Sequence, residues 1–232
     1  MSFDQLVHRA RLLVADGNRT LLGITGPPGA GKTTLAEQLI TTLAPAPPPT
    51  LTPHQWIAHV PMDGFHLADK ELARLDRRDR KGAPDTFDAA GYAALLRRLH
   101  EDSDDVVYAP SFQRTLEQPI AGAIPVPPCA RLIITEGNYL LFDDHGWDRV
   151  RAQLDEVWYV DLDPDERVRR LIARHVRFGK QPVTAAAWAT GTDERNAVLI
   201  SATRPRADLI VPASLMNSLP PPNDDRNRAP NG

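Results

Sequence analysis

The sequence predicts an α/β fold, a parallel sheet flanked by helices, on three observations. Short apolar runs at 21–25, 56–62, 105–108, 131–135, 156–160 and 209–211 are mostly continuous rather than alternating, as in strands buried on both faces. Helical patterns at 88–100, 146–154, 164–178 and 183–201 fall between them. A glycine-rich turn links the first run directly to another helical pattern at 32–43. A length of 232 residues fits one large domain, and 42% apolar residues can fill its core.

Taken in order, Ser2 and Gln5 form a capping box, and Leu6, Val7, Ala10, Leu13 and Val14 recur at helical spacing, predicting a helix over 2–16. Leu35, Leu39 and Leu43 set the register of the next helix. The stretch 44–49 holds four prolines in six residues and must be an exposed connection. Past 213 the chain turns proline-rich and polar, so the domain is expected to span 1–213, with 214–232 a disordered tail. The start lacks the basic, apolar pattern of a signal peptide, and no apolar run reaches the length of a membrane span. Balanced charge, 27 Lys plus Arg against 30 Asp plus Glu, gives no nucleic-acid footprint. The single cysteine, Cys129, excludes an intrachain disulfide and a Cys-rich zinc site, so a reducing cytoplasm is expected.

The segment Gly26-Pro27-Pro28-Gly29-Ala30-Gly31-Lys32-Thr33 matches G-x4-G-K-T between a strand and a helix. Backbone amides from Gly29 through Ala30, Gly31, Lys32 and Thr33 to Thr34 can curl around phosphates, at the positive end of the following helix. Pro27 and Pro28 lack an N–H and stiffen the entry. Lys32 would bridge the β and γ phosphates, and the Thr33 hydroxyl would coordinate magnesium. The plain alternative is a glycine turn capping a helix.

In open parallel sheets ligands bind beyond the carboxyl ends of strands. Asp63 leaves the 56–62 run into a glycine turn, where a carboxylate can orient a hydroxyl and take its proton; an Asx turn helped by Gly64 is equally open. Glu136 ends the 131–135 run, where an acid can hold the water ligands of magnesium. Asp163, before Pro164 and Glu166, reads as a helix cap, and Asp161 stays undecided.

Arg167, Arg170, Arg174 and Arg177 share one face of the 164–178 helix. Beside a phosphate loop, Arg174, Arg177 and Lys180 are candidates for a helical lid over about 174–190 that stabilises the moving phosphoryl charge. Arg167 and Arg170 are expected to be structural. A transition-metal site at His59, Asp63 and His66 lacks supporting spacing, and His66 is better read as a donor to substrate.

With these motifs, the stretches 61–66, 81–88 and Glu136-Gly137 resemble the phosphoribulokinase, uridine kinase and bacterial pantothenate kinase superfamily over residues 20–213. The resemblance implies a P-loop NTPase fold and a phosphotransferase that uses ATP and Mg2+ and an alcohol acceptor. Acceptors rank as a nucleoside or related sugar, then pantothenate, then phosphoribulose. It implies Asp63 as catalytic base, with Lys32 and Arg174 also catalytic, and Glu136 with Thr33 on the metal. Arg174 and Arg177 would contact phosphates. Gly26 and the loop residues would join Arg204 and Arg206, in the 202–208 segment beside the adenine, in holding nucleotide. It further implies substrate contacts from His66, Lys81, Asp85, Tyr108, Phe112 and Tyr139. One departure stands out: Phe112-Gln113 replaces the Tyr-Asp of uridine kinases, one acid fewer for a ribose. The partner expected is a small molecule, with no nucleic acid and no membrane, and a homodimer is the candidate assembly. The rival class is a nucleotide-binding regulator or chaperone that signals through a protein partner.

Overall fold

Helix α1 (Phe3–Leu12) begins at the expected capping box: the Gln5 N–H donates to Ser2 Oγ and the Ser2 N–H to Gln5 Oε1, at 3.3 and 2.7 Å. The computed structural model describes residues 1–49, 51–101 and 105–219. After α1 come β1 (Thr20–Thr25), α2 (Lys32–Leu43), β2 (Ile57–Pro61), α3 (Asp69–Arg74), α4 (Ala89–His100), β3 (Val107–Gln113) and β4 (Gln118–Val126). Then follow β5 (Leu132–Gly137), α5 (Asp148–Arg151), β6 (Glu156–Val160), α6 (Pro164–Arg177), α7 (Pro182–Thr190), α8 (Thr192–Ser201), β7 (Leu209–Val211) and α9 (Ala213–Ser218).

Five strands form one sheet in the order β2-β5-β1-β6-β7, every pair parallel. Alternation along each strand feeds two cores. Leu21, Ile133 and Val157 pack with α4, α5 and the 139–147 segment, while Leu22, Ile134 and Trp158 pack with α1, α2 and α9. All six residues of β1 and all six of β5 are buried, which explains their unbroken apolar character. The ends of β2, β5 and β1 lie side by side, with Pro61, Glu136 and Ile24 in register.

Several expectations change. The 105–108 run does not join the central sheet; its second half opens β3, which pairs antiparallel with β4 in a separate hairpin. No apolar pattern announced β4, because most of it is exposed, and Pro119 and Pro125 are tolerated where both strands are edges. The helix read over 183–201 breaks at Gly191 into α7 and α8, and the 146–154 pattern contracts to the four residues of α5. The packed chain continues past 213: α9 buries Leu215 and Met216 beside α1 and α2. Of the tail expected over 214–232, residues 220–232 lie outside the described residues. Among the described residues no helix is long and apolar enough to cross a membrane.

Candidate active site

The loop after β1 turns through Gly26, Gly29 and Gly31, with φ of 147°, 83° and 98°. A Cβ on Gly26 would stand 2.6 Å from the Val160 carbonyl oxygen, so glycine is required by space as well as by backbone conformation. Helix α2 starts at Lys32 and has no acidic residue in its first turn, so its positive dipole end faces the loop uncancelled. The Ala30 N–H donates to the Pro27 carbonyl at 3.1 Å, within the loop itself. Lys32 is buried, and its Nζ donates to the carbonyls of Gly26 and Pro27 at 2.9 and 3.2 Å. Burial pulls its pKa down to about 8 against the opposing pull of Glu136.

Beyond β2 the chain enters a tight turn, Met62–Phe65, wedged between the hairpin and β5. A Cβ on Gly64 would come 2.3 Å from the Pro110 carbonyl oxygen, and one on Gly137 2.4 Å from Met62 Cβ. Those two close approaches fix Asp63 at the mouth of the sheet. Glu136 is buried at the end of β5 and accepts a hydrogen bond from Thr33 Oγ1 at 3.0 Å. Burial and the nearby Asp63 push the Glu136 carboxyl above its ordinary pKa. Burial in the cleft also works to raise Asp63, but His66 in its acid, protonated form together with Arg114, Arg174 and Lys32 outweighs it and holds Asp63 low. Arg174 is exposed, within the electrostatic reach of Arg114, Asp193, Asp63 and Glu136. Lys32, Thr33, Asp63, Glu136 and Arg174 therefore form one charged group at the carboxyl edge of the sheet. Arg177 is exposed at the end of α6, and Lys180 sits 5.4 Å over the Trp188 ring inside the 174–190 segment.

On the far side of Asp63, His66 stacks on Phe87 at 3.9 Å and lies 4.9 Å from Phe112. Burial lowers its pKa to about 4, so the ring is neutral near pH 7. Its Nδ1 is buried without a hydrogen-bond partner, which favours the proton on Nε2. Lys81 lies 5.6 Å from Phe112 and donates to Asp69 at 2.7 Å and to the Glu117 carbonyl at 2.6 Å. Asp85 is held by Arg80 at 2.8 Å and Arg77 at 3.3 Å, and the Arg80 hydrogen bond lowers its pKa. Two of the residues expected to contact substrate are not brought to it. Tyr139 is fully buried and donates to the Gly82 carbonyl at 2.5 Å, so it braces the 81–87 loop from beneath. Tyr108 is 58% exposed on β3, and among the described residues no hydrogen bond, ion pair or ring contact joins it to this group.

A cavity of about 370 Å³ opens between Pro27 of the loop, Tyr159 of β6, Asp161 just beyond it, Arg167, Ala197 of α8 and Arg204. Arg204 donates to Asp161 at 3.0 Å, which gives the undecided Asp161 a place in this wall. Arg206 does not line it: it turns to Asp143 at 2.6 Å and to the Leu141 carbonyl. Arg167 is buried against Glu194, and Arg170 bonds Glu166 at 2.7 Å and Asn217 of α9 at 3.0 Å. Among the described residues no group of three or more His, Cys, Asp and Glu side chains could hold a metal, so His59, Asp63 and His66 make no preformed centre.

Three residues escaped the sequence reading. Arg114, at the tip of the hairpin, reaches Asp63 at 3.5 Å, and nothing in its local pattern marks it. Asp193 and His175 pair at 2.7 Å between α8 and α6, close to Lys32 and Arg174. In sequence both look like ordinary helix-terminal charges.

No family model matches the chain. A Schizosaccharomyces pombe protein whose provisional name is uridine kinase is 34% identical over 182 residues, 77% of this chain and 75% of that protein. YggC of Escherichia coli is 32% identical over 195 residues, 83% of this chain and 77% of that protein. A Silicibacter crystal structure provisionally described as a fructose transport system kinase superposes with a TM-score of 0.80 at 37% identity, over 91% of this chain and 100% of that one. YFH7 of Saccharomyces cerevisiae, described as a P-loop-containing kinase with a circular permutation, covers 91% of this chain and 98% of its own with a TM-score of 0.74; at 18% identity the likeness is one of fold. The glycine loop, the strand-end acids and relatives matched along most of their length agree, and the chain belongs to the phosphoribulokinase and uridine kinase superfamily of P-loop kinases.

Proposed function

We propose that this protein transfers the γ-phosphate of ATP to a hydroxyl of a small metabolite, a nucleoside or sugar-like alcohol before pantothenate. The observation that carries the reading is the convergence of Asp63 with Lys32, Glu136 and Arg174 beside the phosphate loop. An ionised Asp63 accepts a hydrogen bond from the acceptor hydroxyl, aims its oxygen and takes the proton as the bond to phosphorus forms. Lys32, the loop amides and Arg174 take up charge on the phosphoryl oxygens. Thr33 Oγ1 and the Glu136 carboxylate, 3.0 Å apart, are hard oxygen donors suited to Mg2+. When bound, Mg2+ offsets charge on the β and γ phosphates. The 370 Å³ cavity beside Pro27 and Arg204 is the place for the nucleoside half of ATP.

His66, Phe112 and Lys81 form the acceptor side. Two of the relatives above carry names that mention uridine and fructose, both polyhydroxylated compounds. A stacked neutral histidine with its donor on Nε2 suits a hydroxyl-rich substrate. A cytoplasmic location is part of the proposal, in keeping with a single cysteine.

The test is ADP release in MgATP across a panel of nucleosides, sugars and pantothenate. One acceptor should raise the rate well above background. Asp63→Asn should lower that rate by roughly 10²–10⁴-fold while nucleotide affinity is kept. If no acceptor raised ADP release and a protein partner did, the kinase reading would give way to a regulator.

A further inference from the structure

Arg114 lies at the tip of the β3–β4 hairpin, 51 positions beyond Asp63, yet its Nη2 is 3.5 Å from Asp63 Oδ2. Its guanidinium carbon also stands 5.6 Å over the ring of Phe178, the residue that ends lid helix α6. One side chain thus touches the acid from the hairpin and the lid from beneath.

The charged groups facing Asp63 come from every element around it: His66 from its own turn, Lys32 from α2, Arg174 from α6, Arg114 from the hairpin and Glu136 from β5. Glu136 works against ionisation of Asp63, since like charges disfavour a second anion. His66 is neutral near pH 7. Three permanent or near-permanent cations oppose Glu136, and on the kinase reading two of them, Lys32 and Arg174, are engaged by the triphosphate. Phosphate engaged by those two takes up much of their field at Asp63, and although Mg2+ offsets part of its charge, the magnesium–nucleotide complex remains a net anion. Arg114 approaches from the acceptor side and remains committed to the carboxylate.

We propose that Arg114 is the positioning residue of the transfer, a hairpin-borne cation that holds the Asp63 carboxylate aimed once nucleotide occupies Lys32 and Arg174, and that braces the lid through Phe178. The inference rests on the kinase reading for nucleotide placement, while the contact between Arg114 and Asp63 stands without it. Arginine suits the role because its planar head can meet a carboxylate at its edge and an aromatic ring with its face.

The test is NMR titration of carboxyl-labelled aspartate, with Asp63 assigned through Asp63→Asn, in the full chain and in Arg114→Gln and Arg114→Lys. Each is measured alone and saturated with the Mg2+ complex of a non-hydrolysable ATP analogue. In the free protein, Arg114→Gln should raise the Asp63 midpoint modestly. In the nucleotide complex the same substitution should raise it by about one pH unit or more, the size expected for losing an opposite charge at this range. Arg114→Lys should restore the midpoint. Hydrogen exchange over 174–190 should be faster in both variants, because lysine lacks the flat face that covers Phe178.

An Asp63 midpoint unmoved by Arg114→Gln in both states would overturn the proposal, as would an equal shift in both. Failure of the analogue to bind, read separately by calorimetry, would instead count against the kinase reading; the free-protein titration would still decide whether Arg114 governs Asp63. Unchanged melting temperatures would show that the variants fold.

Discussion

Removing the Tyr139 hydroxyl separates a loop brace from a substrate contact. Tyr139 donates to the Gly82 carbonyl at 2.5 Å, and Asn196 Nδ2 donates to the same oxygen at 3.2 Å. Its ring packs against Trp147 at 5.3 Å, Phe87 at 5.8 Å and Phe142 at 6.0 Å, contacts that phenylalanine would keep. Tyr139→Phe therefore loses one hydrogen bond and no packing, at a cost of about 1 kcal/mol. Asn196→Ala leaves Tyr139 to satisfy Gly82 and should cost a similar amount or slightly more. In the double variant the carbonyl loses both donors, and leaving it unsatisfied adds about 1–3 kcal/mol. The two substitutions should then be worse together than their sum by about 1 kcal/mol. For a chain of this size, 1 kcal/mol moves Tm by roughly 2–4 °C, well within the reach of thermal and urea unfolding. The loop these donors hold carries Lys81 and Asp85, so KM for the acceptor should rise only modestly in step with stability. A Tyr139→Phe protein with unchanged Tm and a tenfold higher KM would refute the reasoning and return Tyr139 to the substrate.

Two further outcomes follow from the charges and the cavity. The Lys32 pKa lies near 8 in the fold against 10.5 unfolded, so the folded state binds fewer protons between those values and stability rises with pH across that window. Phosphate favours the charged ammonium, so affinity for a non-hydrolysable ATP analogue should fall as pH rises above about 8, by up to tenfold per unit. Isothermal titration should show that fall in the native protein and a flat profile in Lys32→Arg, and a flat native profile would count against Lys32 as a phosphate ligand. At the cavity, Arg204→Ala should raise KM for ATP severalfold and Arg206→Ala should not, because Arg206 is engaged with Asp143 and the Leu141 carbonyl outside the lining; steady-state kinetics on both variants separates them.

What could be read along the chain was what repeats or is spatially compressed into a few consecutive residues. The capping box of α1, the buried runs of β1, β5 and β6 and the glycine loop are local statements, and each stands where its pattern put it. Asp63 and Glu136 were legible for a further reason: a carboxylate directly after a buried run needs a partner, and parallel strands bring their ends together. The hairpin was not legible, because a strand with two prolines and an exposed face carries no period. The family resemblance put Tyr139 at the substrate, whereas its hydrogen bond to a carbonyl 57 positions away, which no local pattern announces, sets it beneath the 81–87 loop.

The same distinction explains why Arg114 escaped notice, and why it matters to the chemistry. Groups that bind phosphate sit on the loop and helices built for it, where helix ends and glycines announce them. On the proposed reading the base is different: an aspartate between a buried glutamate and a triphosphate would need a countercharge that the nucleotide does not consume, and that charge would have to come from outside the nucleotide-binding elements. Here it comes from an irregular hairpin that packs on the aspartate's own turn through Gly64 and Pro110. Bulk at Gly64 would thus act on catalysis through Arg114. Lifting the hairpin by even a fraction of an ångström moves the cation away from Asp63 without touching the phosphate loop.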